Sequence, residues 1–262
     1  MNLTIVSINK DNFIGLINTL TSVVNITSTP NVNHLIIDGN SKDFLEDFNQ
    51  LQSKFNFEYI SENDSGIYNA MNKGINLSTS DRLLFLNSGD TVNNFFNFSK
   101  FISEHQETDI VYSNICKVLY DENKTIESRF PKLLSLDYMI CFGLPHQSTI
   151  IKKSLFDRVG FYDESYSIIS DWVFFMEALF FHNATYKYVD ITSINFDGSG
   201  ISNQSKYLRT IISEQLDYIS KRFPSKVDLY KSNSPYVKKY FRTMPRWKKY
   251  LLKFLFMKYN II

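Results

Sequence analysis

The sequence predicts an α/β protein with a mostly parallel, mixed central sheet flanked by helices, followed by a basic helical extension at the C-terminus. Three observations carry this. Apolar β-type runs alternate with segments of helical spacing through the first 90 residues, in the order a parallel sheet requires. Shorter runs after residue 90 have the character of antiparallel pieces, which makes the sheet mixed. After Asp228 there is no acidic residue but nine Lys and Arg, although the whole chain carries only +1.

Leu3 to Ile8 is the first strand-like run. Ile14, Ile17, Leu20, Val23 and Val24 then repeat at helical spacing behind Asp11 or Asn12 as the cap. His34 to Asp38 is a second strand ending in a carboxylate. Phe44, Leu45, Phe48 and Leu51 mark a second helix face, and Phe57 to Ile60 a third strand, an order that winds right-handedly into a parallel sheet. Ile67, Ala70, Met71, Gly74 and Ile75 give a third helix. A fourth strand, Leu83 to Leu86, ends abruptly in Asn87-Ser88-Gly89-Asp90. Ile110 to Tyr112, Lys117 to Tyr120 and Thr125 to Phe130 read as antiparallel pieces. Ser170 to Phe181 reads as a buried helix with Asp171 in its first turn, Thr185 to Val189 as a strand, and Asn203 to Arg222 as an amphipathic helix.

These elements place one domain over 1–228, with halves 1–90 and 91–228, and a tail over 229–262. The nine basic residues of the tail leave the body at −8, so the two parts meet different surroundings. Trp247, Tyr250, Leu251, Phe254 and Leu255 share one helical face of the tail, with Lys248, Lys249 and Lys253 beside it. Two readings stay open: a helix lying on an anionic membrane surface, or the same face docked onto the body. An acidic body argues against nucleic acid as a partner. Cys116 and Cys141 make neither a disulfide framework nor a metal-ligand spacing and fit a reducing compartment. The N-terminus lacks the pattern of a signal peptide, and Glu177 interrupts the most apolar later run, so no membrane span is expected.

Carboxylates recur at strand ends and helix starts: Asp38, Asp64, Asp90 and Asp171. Taken singly, each is an ordinary cap or turn residue. In an open α/β sheet, however, ligands bind outside the carboxyl ends of the strands, where these would gather. There is no Walker-type glycine loop and no Gly-x-Gly-x-x-Gly after the first strand, which disfavours the common P-loop and dinucleotide readings. Phosphates would need a hard cation, Mg²⁺ or Mn²⁺, for which one or two carboxylates are enough protein ligation. Asp90 is the first candidate ligand, and His146, in a Gly/Pro segment, the second.

The ordered set Ser7-Ile8-Asn9, Asp38-Gly39-Asn40-Ser41, Asp64-Ser65-Gly66-Ile67-Tyr68-Asn69-Ala70-Met71-Asn72-Lys73-Gly74, Leu86-Asn87-Ser88-Gly89-Asp90, Pro145-His146-Gln147-Ser148, Ser170-Asp171-Trp172 and Phe196-Asp197-Gly198-Ser199-Gly200 resembles glycosyltransferase family 2. The resemblance covers roughly residues 1 to 205. It implies a GT-A-like fold and an inverting transfer from a nucleotide-sugar donor. By the same resemblance Ser7, Asn9 and Asp38 hold the uridine, with Asp38 accepting from the uracil N3–H. Asp64, Asn72, Lys73, Asn87 and Ser88 line the nucleotide and sugar. Asp90, with His146, serves the metal at the diphosphate, and Asp171 is the catalytic base. Gln147 and Trp172 lie toward the acceptor, and the Gly198, Ser199, Gly200 turn reads either as a phosphate loop or as a plain loop.

Two departures are visible. The family's Asp-x-Asp pattern reads Asn87-Ser88-Gly89-Asp90, leaving one certain carboxylate, and the acidic pair at the base reads Ser170-Asp171. The resulting expectation is a hexosyltransferase-type enzyme using a UDP-sugar and Mn²⁺ or Mg²⁺. Its acceptor would be a glycan or lipid-linked oligosaccharide of a bacterial surface polysaccharide such as lipopolysaccharide or capsule. It would sit in the cytoplasm, peripheral on the inner face of the cell membrane through its tail, with a homo-oligomer among its partners. A catalytically silent nucleotide-sugar-binding scaffold and, more remotely, a sugar nucleotidyltransferase are the rival readings.

Overall fold

The structure is a computed structural model that describes residues 2–27, 31–42, 45–93, 104–120, 123–200 and 204–243. Phe44, Asn203 and the tail face from Trp247 to Leu255 lie outside the described residues. The chain divides into two compact units, one of residues 1–132 and 144–198, the other of 133–143 and 199–262.

The first unit begins with β1 (Leu3–Asn9), every residue of which is buried, as the continuous apolar run requires of an inner strand. Helix α1 (Phe13–Thr27) follows, and its cap is Asn12, whose Oδ1 accepts from Gly15 N–H at 3.1 Å. A Cβ on Gly15 would lie 2.3 Å from the Asn12 amide nitrogen, so glycine is what lets that side chain fold over the helix start. Strand β2 (Val32–Asp38), helix α2 (Leu45–Gln52), strand β3 (Glu58–Ser61), helix α3 (Ile67–Leu77) and strand β4 (Arg82–Phe85) complete the expected four strands and three helices. β1 pairs in parallel with both β2 and β4, and β2 with β3. α3 approaches β1 so closely that a Cβ on Gly74 would stand 2.4 Å from Val6 Cγ1.

Beyond β4 come β5 (Thr91–Val92), β6 (Ile110–Leu119), β7 (Lys124–Ser128), β8 (Thr149–Lys152) and β9 (Tyr186–Asp197). The sheet order is β3-β2-β1-β4-β8-β6-β9-β5, with β7 on β6. Two expected pieces, Ile110 to Tyr112 and Lys117 to Tyr120, are one strand. Its register against β9 shifts between Ser113 and Ile115, which breaks the alternation that sequence patterning relies on. β8 enters antiparallel between β4 and β6, while β9 runs parallel to β6. The ends of β4 and β9 and the beginning of β8 therefore share one edge of the sheet.

One apolar cluster joins Leu3, Ile5, Leu84, Val111, Ile150 and Ile194 across these strands. A second, under α1 and α2, includes Leu16, Leu20, Ile36 and Phe48. Helices α5 (Lys153–Val159) and α6 (Ser170–Phe180) add an aromatic cluster, with Phe156 stacked on Phe174 at 4.5 Å and Tyr162 within 5.7 Å of Phe85, Phe174, Phe156 and Tyr68. The second unit holds α4 (Leu136–Cys141). There α4 packs against α8 (Val227–Asn233), and α7 (Leu208–Arg222) against α8 and α9 (Pro235–Thr243). The Tyr230 hydroxyl donates to Gln215 Oε1 at 2.7 Å in this second core. After Gly198 the chain joins the second unit, where α7 buries its apolar face on the helices that follow it.

His34, on β2, is only 2% exposed, and burial lowers its pKa to about 4 from 6.5. Ser7 Oγ donates to the Leu86 carbonyl and so receives the Nε2–H of His34, at 2.9 Å. A buried neutral histidine is stable at pH values above its unfolded pKa and becomes a liability below it, since the unfolded chain takes the proton first. Stability is therefore expected to fall between about pH 6.5 and 4, by an order of 3 kcal/mol from this residue. His34→Gln, which keeps a donor for Ser7, should flatten that slope in urea titrations. An unchanged slope would contradict the account.

Candidate active site

The turn after β4 is built by its neighbours. Ser88 N–H continues the ladder to the Ile8 carbonyl at 3.1 Å, and Asp90 N–H closes on the Asn87 carbonyl at 2.9 Å. Thr19, fully buried on α1, accepts from Gly89 N–H (3.0 Å) and donates to the Asp90 carbonyl (2.8 Å). Asn12 reaches across from the cap of α1 to the Ser88 carbonyl at 3.1 Å. Gly89 has φ +109°, a conformation open to glycine, and a Cβ there would stand 2.8 Å from Asp197 Oδ2. Neither Asn12 nor Thr19 stands out in the sequence, where one reads as a plain cap and the other as a helix-core hydroxyl.

Asp90 is 3% exposed, and burial raises its carboxyl pKa to about 7, with the Asp197 N–H and the His146 charge working against that rise and the Asp197 carboxylate adding to it. Its Oδ1 accepts from the backbone N–H of Asp197 at 2.9 Å, which ties the end of β9 to the end of β4. Asp197, 107 positions away in sequence, is thus a second acid beside Asp90. Among the described residues no group of three or more His, Cys, Asp or Glu is arranged to hold a metal ion. The donor set nevertheless fits a hard cation. In the same turn Asn87 Oδ1 and Ser88 Oγ are buried oxygens without a hydrogen-bond partner, and a buried carboxylate that loses charge for want of solvation gains most from a bound cation.

His146 opens a 3-10 turn (His146–Ser148) behind Pro145 and directly precedes β8, so the antiparallel entry of β8 delivers it to the edge where β4 ends. Its Nε2 lies 3.4 Å from Asn87 Nδ2, and its Nδ1 lies 2.8 Å from Oδ2 of Asp171. Asp171 Oδ1 accepts from the Tyr68 hydroxyl at 2.8 Å. Burial would raise the Asp171 pKa, but the His146 hydrogen bond and charge, the Tyr68 bond and the Trp172 N–H outweigh it and hold the carboxyl below its ordinary range. The side chains of His146 and Asp171 are 12% and 18% exposed. One hydrogen-bonded path therefore runs from the β4 turn through His146 to the start of α6 and on to α3. Tyr68 has no role assigned from the sequence, and its packing on Tyr162 makes it part of the core as well.

Other expected ligand residues are occupied by structure. Asp38, 0% exposed, accepts from Ser41 Oγ (2.6 Å), Asn9 Nδ2 (2.7 Å), Ser61 Oγ (2.7 Å) and Ser41 N–H (2.9 Å). Through these four donors Asp38 clamps the ends of three strands. Its partner Asn9 keeps a buried Oδ1 without a hydrogen-bond partner, and Ser7 is spent on His34 and Leu86. Asn72 holds the 162–164 loop, through both backbone groups of Tyr162 and through Glu164. Lys73 is paired with Glu62 (2.8 Å) and the Asn63 carbonyl. Asp64 lies against Gly39, where a Cβ would stand 2.4 Å from its Oδ2, and accepts from Gly66 N–H. Gln147 and Trp172 are buried beside His146 and Asp171 in the chain. Gly198 N–H donates to the Val118 carbonyl at 2.8 Å, and a Cβ there would lie 2.7 Å from that oxygen, so the glycine serves strand approach. The unit division follows Gly198, and Ser199 and Gly200 belong to the second unit.

Residues 5–179, which hold all of this edge except the end of β9, match the family model described as glycosyl transferase family 2. The chain belongs to glycosyltransferase family 2. Among curated family relatives, the PGL/p-HBAD biosynthesis glycosyltransferases of Mycobacterium bovis (strain BCG / Pasteur 1173P2) and Mycobacterium tuberculosis (strain ATCC 25177 / H37Ra) are each 29% identical over 150 residues. That stretch is 54% of this chain and 55% of each relative, so the chain spans about half the length of the curated relatives it matches. Among solved structures, S. aureus TarS 1-349 in complex with UDP superposes with a TM-score of 0.62 at 15% identity, covering 89% of this chain and 74% of that one. The same TarS segment in complex with UDP-GlcNAc gives 0.64 at 14% identity over the same shares. The chain therefore has a GT-A-like fold.

Proposed function

We propose that this family 2 glycosyltransferase moves a sugar from a UDP-linked donor to a glycan hydroxyl with inversion at the anomeric carbon. The observation that carries the reading is the connected set Asn87–His146–Asp171–Tyr68 beside buried Asp90, all at the edge where β4 ends. In an α/β sheet that edge is where a nucleotide sugar is met. Support for the donor comes from TarS, which is seen with UDP and with UDP-GlcNAc.

In a single displacement the acceptor oxygen bonds to the anomeric carbon as the bond to the diphosphate breaks. The hydroxyl proton must leave at the same time, to a base held in place for it. Asp171, ionised and fixed by two side chains and a backbone N–H, serves as that base. Asp90 would hold Mg²⁺ or Mn²⁺, which when bound neutralises charge on the departing diphosphate and makes a general acid unnecessary. The clamp at Asp38 keeps the ends of β1, β2 and β3 in register under the nucleotide, and Thr19 and Asn12 keep the β4 turn in shape.

The acceptor reading is a lipid-linked or surface glycan. The mycobacterial relatives carry PGL/p-HBAD biosynthesis in their names, and the chain ends in a basic segment suited to anionic lipid, of which Lys238, Lys239 and Arg242 lie on α9. Among the described residues no helix is long and apolar enough to cross a membrane. A thermal-shift panel of UDP, UDP-sugars, GDP-mannose and CDP, with and without Mn²⁺, tests the donor. A ligand at about 100 times its Kd stabilises by about 2.7 kcal/mol. UDP compounds are expected to raise the Tm more with Mn²⁺ than without. A response confined to GDP or CDP compounds would refute the donor, and UDP binding without turnover on lipid-linked acceptors would favour a silent scaffold.

A further inference from the structure

The chain reaches Asp171 through residues 160–169, a largely exposed loop without regular structure between α5 and α6. One side of α3 grips it. Asn72, 8% exposed, closes its amide on Tyr162, accepting from the N–H at 3.0 Å and donating to the carbonyl at 2.9 Å. Two positions on, the Glu164 carboxylate accepts from Asn72 Nδ2 (3.0 Å), Asn69 Nδ2 (3.0 Å) and Ser65 Oγ (3.2 Å). The Asn72 bond leads, with Asn69 and Ser65 after it, in holding this carboxyl below its ordinary range. At the far end of the loop the Tyr68 hydroxyl lies 2.6 Å from the Ile168 carbonyl and 2.8 Å from Asp171 Oδ1. Both are acceptors and the hydroxyl has one proton, so Tyr68 is shared between the loop and Asp171. The front of the loop therefore helps to decide where its back sits. Positions 65, 68, 69 and 72 follow helical spacing, so one element holds both ends.

We propose that Glu164 is a positioning residue for the transfer: by latching the 160–169 loop to the start of α3 it sets where Asp171 stands relative to the donor. This rests on the role of Asp171 proposed above. α3 lies against β1 and β2, with Gly74 close on Val6, and the ends of those strands lie under the nucleotide in that reading. The latch thus refers the base and the donor to one element. A base must stand within hydrogen-bond reach of the proton it takes, and a displacement of about 1 Å by a change away from the chemistry costs on the order of 10²-fold. Glu164 acts through the loop and exchanges no proton.

The test uses the full chain with UDP-GlcNAc and Mn²⁺, reading UDP released. Glu164→Ala should lose about 10- to 100-fold in kcat, with the Kd of UDP within about threefold of wild type. Glu164→Gln, which keeps one acceptor oxygen for Asn72, should recover kcat to within about fivefold. In an Asp171→Asn background Glu164→Ala should change kcat by less than about twofold, because the group it positions is already gone, while lowering the Tm as it does alone. A merely structural role would give the same fractional loss of kcat in both backgrounds. Hydrogen exchange should speed up in Glu164→Ala across residues 160–172 and stay unchanged in β1 and β2. A Glu164→Ala kcat within about threefold of wild type, an equal fractional loss in the Asp171→Asn background, or a Kd for UDP weakened more than about tenfold would overturn the proposal. A wild type that releases no UDP from any nucleotide sugar would instead refute the transfer reaction. Exchange at residues 168–172 would then still decide the latch, and an unchanged rate there would overturn it.

Discussion

Asp171→Asn is expected to lower UDP release by about 10²- to 10⁴-fold while leaving the Kd for UDP within about threefold. Asparagine has nearly the same shape and can still accept from Tyr68, so the fold at the start of α6 should survive. What changes is the group facing His146. The side-chain amide that replaces the carboxylate has no basic oxygen to take the proton of an attacking hydroxyl. The interaction lost is one made in the transition state, so the loss belongs in kcat rather than KM. Steady-state kinetics with UDP-GlcNAc checks this. A variant with near wild-type kcat would remove Asp171 from the reaction altogether.

Asp90→Asn is expected to have two opposite effects. A carboxyl whose folded pKa lies above its unfolded value carries no penalty below pH ~3.8, an increasing one as pH rises, and the full one above about pH 7. At pH 8 without a divalent cation, the neutral amide removes that penalty, which is on the order of 4 kcal/mol, and it still accepts from the Asp197 N–H. The Tm should rise by several degrees. The extra stabilisation that Mn²⁺ gives to UDP binding should disappear together with turnover. Differential scanning calorimetry at pH 8 and isothermal titration with UDP, each with and without Mn²⁺, separate the two. An Asp90→Asn protein that melts lower and keeps its Mn²⁺ response would show Asp90 to be a structural acid.

The first half of the sheet was legible because its signals are local. Strand runs, a cap at Asn12 and helical spacing each sit within a few residues, and β1 to β4 with α1 to α3 follow from them. The second half was less so. β6 hides a register shift at Ser113 to Ile115, and the four-residue β8 has too few positions to show a period. The site divides in the same way. Asp90, His146 and Asp171 could be picked out by residue type at the end of an element, but the link between them depends on β8 entering antiparallel.

Asp38 shows what a linear reading leaves out. A carboxylate at a strand end looks open, yet Asn9 on β1, Ser61 on β3 and Ser41 in the following loop all donate to it. Asp197 and Tyr68 stand in the matched motifs without an assigned role for a related reason. Their relevance lies in contacts spanning 107 and 103 positions, and nothing in a linear reading weighs such pairs.

A crystal structure grown with UDP-GlcNAc and Mn²⁺ decides where the donor and the cation sit. The diphosphate and cation are expected beside the Asn87–Asp90 turn with Mn²⁺ bound to Asp90, and the anomeric carbon on the side of Asp171. A nucleotide bound away from the end of β4, or a cation held without Asp90, would contradict this.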